Sequence, residues 1–218
     1  MNKRILFLTL FLMTTLASAQ RIKMDKKKLQ FLKGETKIGV ELTFPGDFKI
    51  QGFSLFLPEP GFEIRGGKTS EKVFIEKMRK KWGKNDAALG ERWVQHYKEA
   101  KQKQWQELFL KTVNEGLQEY TDLRFTSSDE DANYKLIVEA DWMYFGYGKV
   151  QVARNGAKLI TTLKFVKVSD PETVIYETTT PNILGSYIKG EFGDIVRMGN
   201  CYDKLGHLLE IQLKRILK

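Results

Sequence analysis

The chain has 218 residues, 42% hydrophobic and 12% aromatic, with only 5 prolines and a single cysteine. This composition excludes wholesale disorder and an internal disulfide framework, and the length is enough to bury a full core in one domain or at most two. The 36 basic residues against 27 acidic ones give a formal charge of +9, an excess that favours anionic partners without naming one.

The first twenty residues read as an export address. Lys3 and Arg4 open it, Ile5 to Leu16 is an apolar run broken only by Thr9, Thr14 and Thr15, and Ala17-Ser18-Ala19 is a small-x-small cleavage site. That order is the pattern of a secretory signal peptide over residues 1–19. The run is shorter than the roughly 20 residues of a spanning helix. Cleavage leaves Gln20 first, not the Cys of the standard lipid-anchoring route. The expected mature chain therefore has no transmembrane span, lies in the periplasm or at the outer envelope, and keeps 34 basic against 27 acidic residues, or +7.

Residues 20–35 are polar and basic and are expected to form a mobile arm. Its lysines Lys23, Lys26, Lys27 and Lys28 are the densest basic run and a candidate contact with an anionic envelope surface. Two other runs, Lys77 to Lys84 and Lys98 to Lys103, read as solvated faces. An exported basic protein meets lipid headgroups and acidic glycans more often than nucleic acid, so no nucleic-acid partner is expected.

Residues 36–218 are expected to form one α+β domain. Ile38, Val40, Leu42 and Phe44 alternate with Lys37, Gly39, Glu41 and Thr43, a period-two strand ended by Pro45-Gly46. Residues 46–70, punctuated by Gly and Pro, form a loop-rich flap. Thr69-Ser70-Glu71 supplies a helix start, Val73, Phe74, Met78 and Trp82 follow at helical spacing, and Gly83 closes the helix. A longer amphipathic helix runs from Asp86 to Glu119. Its stripe of Leu89, Trp93, Tyr97 and Ala100 continues through Trp105, Phe109 and Leu117 with a slight rotation, and Gly90 and Gly116 mark frayed or interrupted ends. Leu123 to Thr126 is a short strand and Ser127 to Asp131 an acidic turn. Tyr134 to Tyr144 is a long strand with one apolar face, Asn155-Gly156 a turn, Leu159 to Val168 a second strand, Ser169 to Thr173 a hairpin loop, and Val174, Tyr176 and Thr178 the return strand. The last helix starts near Phe192, and its stripe of Ile195, Met198, Tyr202, Leu205, Leu209, Leu213 and Ile216 is wide enough to lie flat on a sheet. The expected architecture is two-layer: a mainly antiparallel sheet of about four or five strands with long helices on one face.

Residues 132–217 carry a recurring pattern: Ala132-Asn133-Tyr134-Lys135-Leu136 opening a strand, a hairpin Val168-Ser169-Asp170-Pro171-Glu172-Thr173-Val174-Ile175-Tyr176 closed by an Asp-containing turn, and a final amphipathic helix. This resembles the α/β domain shared by the curli-secretion lipoprotein, the outer-membrane activators of penicillin-binding proteins and the N-terminal domain of TolB-type proteins. Phe31-Leu32-Lys33-Gly34 and the Trp93, Trp105, Phe109 helix resemble uncharacterised exported bacterial proteins of similar length. The resemblance implies a fold and an envelope setting; function has to come from a site.

Catalytic equipment is sparse. His96 and His207 have no second His or Cys at i+3 or i+4, only Glu99 and Glu210 three residues on, and four ligands make a closed metal site. The Ser127 to Asp131 turn lacks the alternating oxygen ligands of a calcium loop. There is no Gly-x-Ser-x-Gly elbow and no phosphate loop. Glu139 and Asp141 share a strand face read as wet, and Cys201 reads as a small buried apolar residue. No catalytic residue, metal or cofactor is assigned. Trp142, Tyr144, Phe145 and Tyr147 crowd one strand end and form a candidate contact patch. The first functional expectation is an exported, non-enzymatic accessory or binding protein whose partner is a protein or an anionic envelope component. The alternatives are a glycan or lipid hydrolase with a site assembled from distant residues, and a carrier of a small apolar ligand.

Overall fold

Period-two alternation builds the central strand. In β5 (Tyr134–Tyr144) Leu136, Val138 and Ala140 are fully buried, whereas Lys135, Ile137 and Glu139 project from the opposite face and stay partly exposed. These residues belong to the computed structural model of the chain, which describes residues 21–51, 68–146 and 156–218. Residues 1–20, where a signal peptide is expected, residues 52–67 of the flap and residues 147–155 lie outside the described residues.

On one side of β5 runs β1 (Lys37–Thr43), parallel to it from Ile38↔Tyr134 to Thr43↔Glu139. The same column continues in β2 (Lys49–Gln51), again parallel, with Lys49 opposite Trp142. Beyond them lie β4 (Arg124–Thr126), parallel to β1, and β3 (Lys68–Ser70), antiparallel to β2. On the other side β6 (Lys158–Lys167) is antiparallel to β5, with a register shift around Asp141. Both β7 (Asp170–Thr179) and β8 (Ile183–Leu184) pair with β6. The eight strands form one mixed sheet. The α+β class holds, but the expectation of a mainly antiparallel sheet of four or five strands is corrected. The physical reason is connectivity: helices separate β1 from β4 and β5, and such a crossover returns the chain parallel. Alternation shows which face a residue takes and nothing of strand direction. The β6–β7 turn is also tighter than the expected five-residue loop. Pairing jumps from Lys167↔Asp170 to Val166↔Val174, so Pro171 to Thr173 bulge out of the ladder, where a missing N–H costs nothing.

Four helices cover the apolar face. In α1 (Glu71–Trp82) the Ser70 hydroxyl accepts from Val73 N–H at 3.5 Å, and Gly83 N–H closes on Arg79 O at 2.8 Å. Asp86 caps α2 (Ala87–Glu99) at 2.9 Å through Ala88 N–H. A π-helical turn, Ala100–Gln104, joins α2 to α3 (Trp105–Leu117) without a break. This turn explains the rotated stripe. Trp93, Tyr97 and Ala100 are buried, then Trp105, Phe109, Val113 and Leu117. In an unbroken α-helix the five-residue step from Ala100 to Trp105 would swing Trp105 about 140° out of line. The i→i+5 turn absorbs the extra residue and keeps both halves facing the core.

The last helix, α4 (Gly193–Leu217), buries most of its residues against α3 and the sheet. Gly116 stands one residue before the end of α3, where an end was expected, and it is also a packing residue: a Cβ there would overlap Glu210 Cγ. The glycine opens the niche in which the Glu210 side chain, 6% exposed, meets Lys214 and His207. Gly90 is likewise buried inside α2.

The mobile arm is a second correction. Ile22, Leu29 and Leu32 are 0% exposed and belong to the core. Tyr176 Oη accepts from Asp25 N–H at 3.0 Å, and Thr178 Oγ1 donates to Lys23 O at 2.8 Å. Phe31 packs on Tyr134 and Phe165 at centroid distances of 4.6 and 5.9 Å. The lysines that make the segment look solvated project outward while Ile22, Leu29 and Leu32, with Met24 and Phe31 packed beside them, anchor it. Among the described residues no helix is long and apolar enough to cross a membrane.

Candidate functional site

The interior under α2 and α4 is lined with aromatic rings. Trp93 stacks on Tyr97 (5.3 Å, 12°), and Phe74 meets both edge-on. Trp105 stacks on Tyr202 (5.5 Å, 17°) and meets Tyr97 edge-on. The first residue of α1 closes this row. Glu71 accepts from Tyr97 Oη at 2.8 Å and takes Lys101 Nζ on both oxygens at 2.7 Å. Lys101 belongs to the π turn and lies 4.3 Å from the Phe44 ring centre. Burial, and then the Glu71 charge, push the Tyr97 hydroxyl well above its ordinary range. A carboxylate that accepts three bonds from its own chain is occupied, so Glu71 works as a tether between α1 and the π turn.

A second cluster forms at the start of α4. Phe192 precedes the helix with φ +52°, a left-handed conformation costly for a bulky residue. Asp194 is 3% exposed, and its Oδ1 accepts from Trp93 Nε1 at 3.1 Å and from Ile195 N–H at 3.0 Å. Arg197, one turn on, donates Nη1–H to Ile188 O at 3.0 Å and reaches Phe145 O at 3.4 Å from Nε. Burial lowers the Arg197 guanidinium from its ordinary value, and the Asp194 charge opposes that shift. On the outer side of this cluster is a surface groove of about 270 Å³ lined by His96, Gln104, Glu191, Phe192, Ile195 and Val196. Phe192 makes its floor, edge-on to Trp82 at 5.1 Å and tilted against His96 at 5.3 Å. Arg92 meets Glu191 at the rim, 3.8 Å apart. Val196 is 43% and Ile188 40% exposed. The groove is an open apolar surface with a polar edge.

Among the described residues the expected aromatic patch is not assembled. Tyr144 is 1% exposed and Phe145 9%, so both rings belong to the interior; Trp142 is half-buried and Tyr147 lies outside the described residues. The strand-end position suggested exposure, but β2 and β6 flank Tyr144 and α1 covers Phe145 through Phe74, 5.3 Å away. Lys23, Lys26, Lys27 and Lys28 are all exposed. Glu139 and Asp141 sit on the wet sheet face, each with its own partner: Lys164 Nζ at 2.8 Å from Glu139, and Thr162 Oγ1 at 2.9 Å from Asp141. Burial, then the neighbouring Glu139 charge, raise the Asp141 carboxyl. In the acidic turn Asp129 is engaged by Lys135 at 2.7 Å, whose hydrogen bond holds its carboxyl below the usual range. Glu99 bonds Gln95 rather than His96, while His207 Nδ1 lies 3.2 Å from Glu210. Among the described residues no three His, Cys, Asp or Glu side chains gather to hold a metal ion.

Sequence reading missed the groove. Its one signal was Val196, an apolar residue off the stripe of the last helix. Glu71 was visible as a first-turn acid but not as the partner of Lys101, thirty residues on.

Cys201 is 0% exposed and donates Sγ–H to Arg197 O at 3.7 Å. Burial pushes its thiol up to about 12. The native protein should therefore resist iodoacetamide at pH 8 and react at the rate of a free thiol in denaturant. Because the folded thiol titrates above an unfolded one near 8.5, its contribution to stability is complete below that pH and is lost as pH climbs toward 12. Cys201→Ala should flatten that alkaline loss in urea melts between those pH values. Fast native labelling would show the site open.

Comparison of the chain with family models, with curated proteins and with solved structures gives no match.

Proposed function

We propose that this chain is an exported, non-enzymatic accessory or binding protein of the bacterial cell envelope, acting through protein contact at the groove between α2 and α4. The export reading rests on the residue order of positions 1–20. The contact reading rests on one observation, the open apolar groove floored by Phe192 and edged by His96, Gln104 and Glu191. An apolar centre with a polar, solvated rim is the anatomy of a protein-contact surface. The carboxylates with the most order around them, Glu71, Glu139 and Glu210, are held by lysines of the same chain, which supports a binding role over a hydrolytic one.

A photoreactive residue at Val196 tests the reading in living cells. It should give a discrete cross-linked adduct. The same probe at Ile211, 39% exposed on the same helix but about 22 Å further along it, should not. Val196→Asp should abolish partner capture while moving stability by no more than about 0.5 kcal/mol, as expected of an exposed site. Identical adducts at both positions, or none at either, would count against the groove.

A further inference from the structure

We propose that the pole formed by the docked N-terminal segment and the end of α4 is a docking surface for the acidic phospholipid headgroups of a bilayer. This is a second contact surface, independent of the groove.

The segment presents lysines on a fixed scaffold. Ile22, Leu29 and Leu32 are buried, so Lys23, Lys26, Lys27, Lys28 and Lys33 face solvent from a held backbone. The single acid among them, exposed Asp25, accepts from Lys27 N–H at 2.8 Å. Among the described residues Lys23, Lys26, Lys27 and Lys28 form no ion pair, whereas Lys80, Lys101, Lys103, Lys111, Lys135, Lys164 and Lys214 each meet a carboxylate. Lys26, Lys27 and Lys28 concentrate positive charge on three consecutive exposed residues.

The patch continues into the helix end. Lys33 Nζ reaches Lys218 O at 3.4 Å. One turn back, Lys214 lies 4.2 Å from the ring centre of Tyr120, which is 57% exposed. Glu119 and Asp122 flank that ring. One feature points to a bilayer rather than a soluble polyanion. An exposed tyrosine beside lysines suits the headgroup layer, where an amphipathic ring has both its media.

Vesicle flotation tests this. Among the described residues every core residue lies between Ile22 and Ile216, so a chain starting at Gln20 is the protein to use. It should partition onto phosphatidylcholine vesicles containing about 30% phosphatidylglycerol, not onto phosphatidylcholine alone, and should detach at about 0.5 M salt. Replacing Lys26, Lys27 and Lys28 with Gln should weaken partitioning about a hundredfold, at about fivefold per lysine, with an unchanged urea midpoint. Lys77→Gln and Lys80→Gln on α1, together with Lys84→Gln just beyond it, should change it by less than about fivefold. Tyr120→Ser should weaken it further. No partitioning onto acidic vesicles, an equal loss in the α1 variant, or binding to heparin without binding to vesicles would each overturn the proposal. All leave the cross-linking test at Val196 untouched.

Discussion

Deleting residues 21–33 will prevent the chain from folding. The segment looks dispensable in the sequence, but it places Ile22, Leu29 and Leu32 at 0% exposure and sets Phe31 against Tyr134 and Phe165. Full burial of one such side chain contributes roughly 1.5–3 kcal/mol, and a domain this size has a net stability of about 5–15 kcal/mol. Three of them are a large fraction of the whole. The hydrogen bonds that join the segment to Tyr176 and Thr178 are lost as well. Far-UV circular dichroism of the truncated chain should show an unfolded or poorly cooperative protein. Single substitutions refine the test: Leu29→Ala and Leu32→Ala should each cost about 2–5 kcal/mol in urea melts, while Lys26→Ala or Lys28→Ala should stay within about 0.5 kcal/mol. A truncated chain that melts like its parent would mean that the segment does not contribute to the core.

Trp93→Phe will be more destabilising than Trp105→Phe by about 2 kcal/mol, the scale of a hydrogen bond to a charged group. The two substitutions remove the same atoms from rings that are 0% and 1% exposed. They differ in one bond. Trp93 Nε1–H donates to Asp194 Oδ1 at 3.1 Å, while Trp105 Nε1 is buried without a hydrogen-bond partner. Losing the indole of Trp93 leaves Asp194 with Ile195 N–H alone, since its Oδ2 has no partner. A buried carboxylate stripped of a donor carries the full desolvation penalty. In an Asp194→Asn background the gap should shrink, because the neutral amide is cheaper to leave under-bonded. Equal costs for the two tryptophans in urea melts would show that packing alone decides both.

The local signals of the sequence were reliable where the physics is local. The Ser70 cap, the Gly83 stop, the alternation of Tyr134 to Tyr144 and the stripe of the last helix all appear where the pattern puts them, because each depends on neighbours within one turn or one pleat. The rotated stripe after Ala100 was legible too, although the π turn behind it was not. Gly116 read as a helix end and nothing more, because a sequence shows only that a side chain is missing there. Glu210 fills that space from α4, ninety-four residues later.

Of the candidate sites, the exposure of Lys23, Lys26, Lys27 and Lys28 was legible because charged heads seek water whatever the fold does. The burial of Tyr144 and Phe145 was not, because it depends on β2, β6 and α1 arriving from elsewhere in the chain. The groove is tertiary throughout, built where α2, the π turn and the start of α4 come together.

By itself, the sequence determined the α+β class, the main helices and the wet and dry faces of β5, all properties of composition and short-range period. The tertiary structure decided the mixed strand directions, the docking of residues 21–35, the closed core around Glu71 and Asp194, and the groove at Phe192. These depend on which distant segments meet, and that is set by burying every apolar face at once rather than by any one of them.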